Sequence, residues 1–222
     1  MIVKLKQLLK RSPLFRLIVW IRRKQGNLDE LSAQSRSNVY HHSPVHDLIR
    51  SIAAKHSVKV FFETGTYLGN TVFGIKNAFD EVYSAELSEE LAKLARQRFA
   101  RDEHVHIISG DSSAALRVFL SGLEQPAVFW LDAHYSAGVT AMGALQTPVK
   151  DELAAILAHP VKRHHVLIDD VKDFNGLNDY PTVDEILSMV KELGAGDYQA
   201  WVEGSVFRIV PRQNDAPLAD AG

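Results

Sequence analysis

Carboxylates follow two apolar runs in the second half of the chain. The run AVFWL at 127–131 is followed by Asp132, and the run HHVLI at 164–168 is followed by the pair Asp169 and Asp170. On neighbouring strands these three acids would lie close together, and they would repel one another unless protonated or bound to a cation. Oxygen ligands suit Mg²⁺ or a similarly hard divalent ion. The sequence therefore predicts a divalent metal site, of the magnesium type, on these three residues.

A histidine lies two residues beyond the first of these acids. His134 has an unperturbed pKa of about 6.5, which suits proton removal near neutral pH. It is the candidate general base, and an ordinary polar contact in a loop is the alternative. The sequence contains no cysteine, so thiolate nucleophiles and zinc sites built on sulfur are excluded.

A second group of residues follows the first predicted strand, in the stretch VKVFFETGTYLGN at 58–70. Glu63 stands at the end of this strand, and Gly65 permits a tight turn directly after it. Gly69 lets the backbone come close to a ligand. The helix that begins near Asn70 points its positive end at the same place. This arrangement predicts a ligand site where the first strand ends.

Polar residues also end the next two predicted strands. Glu86, 21 residues beyond Gly65, is placed to accept hydrogen bonds from both hydroxyls of a ribose. Asp111 and Ser112 follow the third strand, where an adenine ring would lie. A nicotinamide fingerprint would need glycine at two loop positions that are tyrosine and asparagine here. Dinucleotide binding is therefore disfavoured.

These residues need a parallel sheet to bring them together. Five apolar or β-branched runs alternate with amphipathic helical patterns, and two short strands joined by Gly204 and Ser205 follow the last helix. The order predicts an α/β fold with a doubly wound, seven-stranded, mainly parallel sheet and a C-terminal antiparallel hairpin. The predicted strands are 58–63, 81–86, 104–109, 127–132, 164–169, 198–203 and 205–210.

The pattern ETGTYLG resembles the first motif of class I S-adenosylmethionine-dependent methyltransferases, and the resemblance runs from about 58 to 210. It implies a Rossmann-like class I methyltransferase fold with S-adenosylmethionine as cofactor. In that family the glycine loop holds the methionine part, the acid after the second strand binds the ribose, and the acid after the third lies beside the adenine. The cofactor-binding residues implied here are Glu63, Gly65, Thr66, Tyr67, Gly69, Asn70, Glu86, Asp111 and Ser112.

The acids after the fourth and fifth strands resemble those of metal-dependent sugar O-methyltransferases of macrolide and aminocoumarin biosynthesis. The loop at 134–153 does not match those enzymes. It is more similar to that of a group of bacterial methyltransferase-like proteins, in which the sequence DAHYSAG is followed by a helix that begins with Thr-Pro. The resemblance implies methyl transfer to a hydroxyl of a sugar or another small polar acceptor, with Asp132 and His134 as catalytic residues. Contact of Asp132 with the cofactor's ammonium group, and capping of a loop by Asp170, remain alternatives to metal binding.

The N-terminal segment 1–24 is a basic amphipathic arm, with eight Lys or Arg and no acid, whereas the other residues carry 17 basic and 27 acidic side chains. It lacks the cleavage site of a signal peptide and the apolar length of a spanning helix, so the protein is expected to be cytoplasmic, or peripheral to a membrane. Docking on its own domain, homo-oligomer formation and contact with anionic lipid are the alternatives for the arm. Nucleic acid is disfavoured because the body is acidic.

The predicted organisation continues with a linker and lid helix at 25–57, a methyltransferase domain at 58–210 and a disordered tail at 211–222. Two function classes remain besides a methyltransferase. A metal-dependent hydrolase would use the three clustered acids to activate water, but it leaves the glycine loop unexplained. A non-catalytic cofactor-binding module, recruited through its basic arm, would keep the fold without the reaction.

Overall fold

A computed structural model of the chain describes residues 29, 30, 33, 43–132, 147–177 and 179–212. The basic arm at 1–24, most of the linker at 25–42, His134 and the tail after 212 lie outside these residues, and the predictions made for them stay predictions. Within the described part of the chain, no helix has the length and apolar character needed to cross a membrane.

Seven strands form one sheet in the order β3-β2-β1-β4-β5-β7-β6. The first five are parallel to one another, whereas β7 runs antiparallel to both β5 and β6. The predicted mainly parallel sheet with its C-terminal hairpin is confirmed. The strands are β1 Val60–Thr64, β2 Glu81–Glu86, β3 Val105–Ser109, β4 Ala127–Leu131, β5 His165–Ile168, β6 Tyr198–Glu203 and β7 Val206–Pro211.

In the described segments between 43 and 212, six α-helices connect and cover these strands. The last of them begins with the predicted capping box, in which Thr182 and Glu185 satisfy each other's backbone N–H groups. The α-helices are α1 Pro44–His56, α2 Asn70–Ile75, α3 Glu89–Arg98, α4 Ser112–Ser121, α5 Val149–Ala158 and α6 Val183–Leu193, with short 3₁₀ helices at Lys76–Ala78 and Val171–Asp173.

The start of β1 lies two residues later than the sequence pattern predicts. Ser57 adopts a left-handed conformation with φ of 53°, and the backbone N–H of Val58 donates to the carbonyl of Ala53 in α1. These contacts close the end of the helix, as left-handed C-terminal caps do. Val58 therefore belongs to the helix terminus and only Val60 begins the sheet.

The core lies on both faces of the central strands, because side chains alternate across a sheet. Phe62 and Phe129 face one cluster, which the inner sides of α4, α5 and α6 complete. Phe61 and Trp130 face the other cluster, which α1, α2 and Phe99 complete. The helix predicted as a lid, α1, thus packs into the core through part of its surface.

Strand β1 lies between β2 and β4. The strands β2 and β3 extend the sheet on one side of β1, and β4 and β5 extend it on the other side, so the strand order reverses at β1. In open α/β sheets this switch point opens a crevice beyond the carboxyl ends of the strands, and ligands bind there. All the described candidate site residues lie at this edge.

Two buried histidines join four elements at the opposite edge of the sheet. The imidazole Nε2 of His159 lies 3.0 Å from the carbonyl oxygen of Leu120, and its Nδ1 lies 2.9 Å from Nε2 of His164. The Nδ1 of His164 accepts from the backbone N–H of Ala127, at 3.2 Å. Both rings can satisfy these bonds only when neutral, with the proton on Nε2. Burial, followed by the positive groups nearby, lowers the pKa of His164 to about 3.

We expect His164 to make stability depend on pH. Its folded-state pKa is below the unfolded value, so its contribution is complete above pH 6.5 and is lost as the unfolded chain takes up the proton. The advantage of the wild type over His164→Gln should therefore shrink by about 1.4 kcal/mol for each pH unit between 6.5 and 4.5. Urea unfolding at several pH values measures this difference, and a difference that does not change with pH would contradict the neutral pairing.

Candidate cofactor and acceptor site

The loop between β1 and α2 turns over the end of β2. The backbone N–H groups of Gly65 and Thr66 both donate to the carbonyl of Ala85, at 2.9 and 3.2 Å. The loop contains three residues with positive φ, of which Tyr67, at 49°, is not a glycine. Gly65 adopts a φ of 88°, which confirms the tight turn expected of it. The backbone of the loop is therefore held in one conformation above the crevice.

Packing against Phe99 requires glycine at position 69, a constraint that the sequence analysis did not predict. A Cβ atom at this position would lie 2.6 Å from Cε2 of Phe99, and the backbone adopts a φ of 72°. Space and conformation therefore both require glycine, whether or not a ligand approaches it. Asn70 then begins α2 and accepts a hydrogen bond from the guanidinium of Arg98, at 2.9 Å.

Glu63 is buried beneath this loop, with 1% of its surface exposed. Its carboxylate accepts a hydrogen bond of 2.5 Å from the hydroxyl of Ser84, which lies 2.6 Å from the hydroxyl of Thr66. Burial raises the pKa of Glu63 to about 8; the bond from Ser84 opposes this, and the charge of Asp132 adds to it. A cation entering the crevice would favour the ionised form of Glu63.

Glu86, the predicted ribose acceptor, joins the glycine loop to the start of α3. One carboxylate oxygen accepts from the backbone N–H of Tyr67 at 2.8 Å, and the other accepts from that of Ser88 at 2.9 Å. The side chain is buried, and burial raises its pKa despite these bonds. A carboxylate offers about four lone-pair positions, so two remain for a ligand.

The two residues predicted to lie beside an adenine have different surroundings. Asp111 is exposed and caps α4, accepting from the backbone N–H of Ala114 at 2.8 Å. Ser112 is buried, and its hydroxyl donates to the carboxylate of Glu152 at 2.6 Å. Ser112 is therefore engaged inside the domain, and Asp111 is the member that faces solvent.

Glu152 is a buried site residue that the sequence analysis missed. It is 1% exposed, and besides Ser112 it accepts from the hydroxyl of Thr64, at 3.2 Å. The Thr64 hydroxyl accepts in turn from the backbone N–H of Asp132, at 3.2 Å. Burial raises the pKa of Glu152 to about 7, although both hydroxyl bonds lower it. One carboxylate thus connects the ends of β1 and β4 to the start of α4.

A signal for Glu152 is present in the sequence. The residues of α5 at the i, i+4, i+7 and i+8 positions are Val149, Leu153, Ile156 and Leu157, and all are buried. Glu152 occupies the i+3 position of this apolar face. An acid within a buried helical face needs hydrogen-bond partners, which the neighbouring elements supply.

Asp132, Asp169 and Asp170 border one cleft beyond the ends of β4 and β5, together with Glu152 and Tyr180. The backbone N–H of Asp169 donates to the carbonyl of Leu131 at 3.1 Å, which extends the pairing of the two strands. The predicted adjacency of these two strands is confirmed, whereas the site that the three aspartates would form there stays a prediction. Burial, and then the negative charges around the cleft, raise the pKa of Tyr180.

The structure does not support the predicted metal site on these three aspartates. Among the described residues, no group of three or more acidic or histidine side chains is arranged to hold a metal ion. Asp170 adopts a left-handed conformation with φ of 56° at the start of the 3₁₀ helix, and its carboxylate lies 3.1 Å from the ammonium of Lys172. Asp170 occupies the N-cap position of this 3₁₀ helix but makes no side-chain capping bond, and its own backbone N–H donates to the carboxylate of Asp169 at 2.8 Å.

We expect the charge on Glu152 to cost stability at neutral pH. Its folded-state pKa is above the unfolded value, so the stability it contributes is complete below about pH 4.5 and falls as the pH rises towards 7. Relative to Glu152→Gln, the wild type should lose about 1.4 kcal/mol per pH unit across this range. Urea unfolding of both proteins measures the loss; equal pH profiles would show that Glu152 ionises without a penalty. Glu124→Gln, at an exposed loop position, is the control.

Comparisons with known proteins agree with this architecture. No protein-family model matches the sequence, and no curated protein matches it. Among solved structures, an O-methyltransferase from Bacillus cereus with S-adenosylhomocysteine gives a TM-score of 0.57 at 16% identity, covering 86% of this chain and 91% of that chain. An O-methyltransferase of tomaymycin synthesis from Streptomyces achromogenes, with S-adenosylmethionine, gives 0.56 at 15% identity, covering 83% and 88%.

A methyltransferase from Podospora anserina, solved with S-adenosylhomocysteine, gives a TM-score of 0.54 at 17% identity and covers 83% of this chain and 87% of that chain. At these identities a likeness establishes the fold. The chain therefore has the Rossmann-like fold of class I S-adenosylmethionine-dependent methyltransferases, as the motif ETGTYLG predicts.

Proposed function

We propose that the protein transfers a methyl group from S-adenosylmethionine to a hydroxyl of a small polar acceptor. The observation that carries the proposal is the glycine loop at the switch point of the sheet, held by Glu86 through the backbone N–H of Tyr67. Two buried acids, Glu63 and Glu86, lie on adjacent strands beside this loop. Proteins of the same fold are named O-methyltransferases and were solved with this cofactor or its product, which supports the proposal.

In this proposal the chain's own residues bind and orient the cofactor. The two free lone-pair positions of Glu86 accept from the ribose hydroxyls, and the loop from Gly65 to Gly69 holds the methionine part. Asp111, exposed at the start of α4, borders the adenine. Because Glu63 is buried and its pKa is raised, the positively charged sulfonium side of the cofactor favours its ionised form.

The acceptor is proposed to bind over the mouth of the cleft that Asp132, Asp169, Asp170 and Tyr180 border, because the cleft itself, at about 10 Å³, has room for about one water. During transfer the acceptor oxygen bonds to the methyl carbon while the bond from carbon to sulfur breaks, and the hydroxyl proton passes to a base. Asp132 and His134 are the candidate bases. The protein contributes mainly by holding oxygen, carbon and sulfur in line, which can supply several kcal/mol.

Loss of the Glu86 carboxylate should weaken cofactor binding. Glu86→Gln keeps the size of the side chain but removes its charge. The amide NH₂ of the glutamine also replaces one carboxylate oxygen, so it can no longer accept a hydrogen bond at that position. We expect the affinity for S-adenosylhomocysteine to fall by about 1.5 to 3 kcal/mol, or roughly ten- to hundredfold. Isothermal titration calorimetry measures this, with the exposed Glu124→Gln as the control of equal charge change. Undiminished affinity in a folded Glu86→Gln protein would refute the ribose assignment.

A sugar acceptor and a divalent metal are finer parts of the proposal. The sugar acceptor comes from the likeness to metal-dependent sugar O-methyltransferases. The metal comes from Asp132, Asp169 and Asp170 themselves, which border one cleft, and the same likeness adds to it. Asp132, Asp169 and Asp170 are the residues that would hold Mg²⁺, which would bind the acceptor hydroxyl and lower its pKa. Because the described side chains do not form a metal-binding group, we assign no step of the reaction to a metal.

The metal requirement has a direct test in methyl transfer to candidate sugars after exhaustive treatment with EDTA. If a cation participates, activity is lost and returns with Mg²⁺ or Mn²⁺, and Asp169→Asn raises the Mg²⁺ concentration needed while S-adenosylhomocysteine still binds. Activity that survives chelation would eliminate the metal and leave proton removal to Asp132 or His134. Asp184→Asn, on α6 and away from the cleft, is the matched control.

The same titrations separate the proposal from its alternatives. A metal-dependent hydrolase using the three aspartates would not bind S-adenosylhomocysteine through Glu86. A non-catalytic module would bind it and transfer nothing to any acceptor. The proposed cytoplasmic location and the lipid or homo-oligomer contacts of the arm at 1–24 are independent of this choice, and vesicle sedimentation of the full chain tests the lipid contact.

A further inference from the structure

A groove lies on the face of the C-terminal hairpin, away from the cofactor crevice. The second half of α1 forms one wall, and the strands β5, β7 and β6 form the floor. His165 is the first residue of β5, so the groove opens towards the amino ends of the parallel strands. Its volume is about 530 Å³, within the range of ligand sites. The lining residues are Ile52, Lys55, His56, His165, Gln199, Trp201, Arg208, Val210, Pro211 and Arg212.

The groove is positively charged although the chain as a whole is slightly acidic. Lys55, Arg208 and Arg212 line it, and none of the lining residues is an acid. Glu203, at the end of β6, pairs with Arg208 and offsets one charge. Lys55 and Arg212 form no ion pair with any residue that the structure describes. Within the described residues, two positive charges of one concave surface therefore have no acidic partner.

Nitrogen atoms at the floor of the groove also lack partners. Nδ1 of His165 and Nε of Arg208 are buried and make no hydrogen bond within the described part of the chain. His165 is 4% exposed, and burial, followed by the charges of His56, Arg208 and Lys55, lowers its pKa to about 4. Both nitrogens lie beneath the groove surface, so a ligand in the groove would contact the outer parts of Lys55, Arg208 and Arg212 rather than these two atoms.

Apolar surface lies beside these charges. The guanidinium of Arg208 stacks on the ring of Trp201, with its central carbon 5.0 Å from the ring centre. This contact restricts the orientation of the guanidinium group. Trp201 is 37% exposed, which is high for a tryptophan on a strand. Ile52 and Val210 complete the apolar part of the lining. The groove thus offers charged and apolar surface to one ligand.

We propose that this groove binds a ligand carrying a phosphate group, held by Lys55, Arg208 and Arg212. A phosphate ester carries a charge of about −1.5 to −2 at neutral pH, which matches two uncompensated cations better than a single carboxylate does. Arginine forks suit phosphate geometry, and lysine acts as a point charge beside them. A free phosphate monoester and the monoester headgroup of phosphatidic acid share this chemistry. The inference does not depend on the proposed methyltransferase function.

The test is calorimetric titration of the full chain with glycerol 3-phosphate at low ionic strength. We expect Lys55→Gln combined with Arg212→Gln to weaken binding at least about tenfold, since each substitution removes a charge-assisted hydrogen bond. Lys93→Gln combined with Lys191→Gln removes the same charge from exposed helix positions elsewhere and should leave the affinity unchanged. Circular dichroism verifies that each variant is folded, and Lys55→Gln alone makes the smallest change if the double variant is not.

A second titration distinguishes the sources of the phosphate. Sedimentation with vesicles containing phosphatidic acid, compared with phosphatidylcholine vesicles, is carried out on the same variants. If the groove substitutions reduce vesicle binding and glycerol 3-phosphate does not bind, the site recognises a lipid headgroup. If glycerol 3-phosphate binds and the groove substitutions weaken that binding, the site recognises a soluble ester. If neither probe binds, or if both pairs of substitutions weaken binding equally, the proposed site is refuted.

Discussion

The candidate site depends on two carboxylates buried on opposite faces of strand β1. Glu63 belongs to the strand and is held through Ser84 of β2, whereas Glu152 reaches Thr64 from helix α5. Burying a charge without partners is costly, so each acid is surrounded by hydroxyl donors. Those donors come from different segments, and the ends of β1 and β2, the glycine loop and the start of α4 are thereby held in fixed relative positions. The crevice exists in one shape before any ligand enters it.

The fold was largely predictable because its signals are local. Apolar runs of strand length alternate with amphipathic helices, and the hairpin follows a turn at Gly204. The tip of β1 was predictable for the same reason, since Gly65 needs a positive φ in a tight turn. The boundaries were less accurate where a helix end competes with a strand, as at Val58, whose backbone N–H completes the cap of α1.

The rest of the site depends on contacts between distant parts of the sequence. Gly69 is required partly because Phe99, thirty positions away, occupies the space of a Cβ atom. Ser112 turns inward because Glu152, forty positions away, accepts from it. The shared cleft of Asp132 and Asp169 followed from strand order, whereas metal binding did not, since it requires side-chain directions that spacing does not specify. The loop containing His134 lies outside the described residues, so the base remains a prediction.

The buried acids and buried histidines have a joint consequence for proton balance. Between about pH 4.5 and 6.5 the unfolded chain carries protons on His164 and His165 and none on Glu63 and Glu152, whereas the folded chain carries the opposite set. The number of bound protons is then the same in both states, so these four groups together leave the folding equilibrium independent of acidity in this range. Mild acidification within this range changes the folded charge of none of these four side chains and leaves their combined contribution to stability constant.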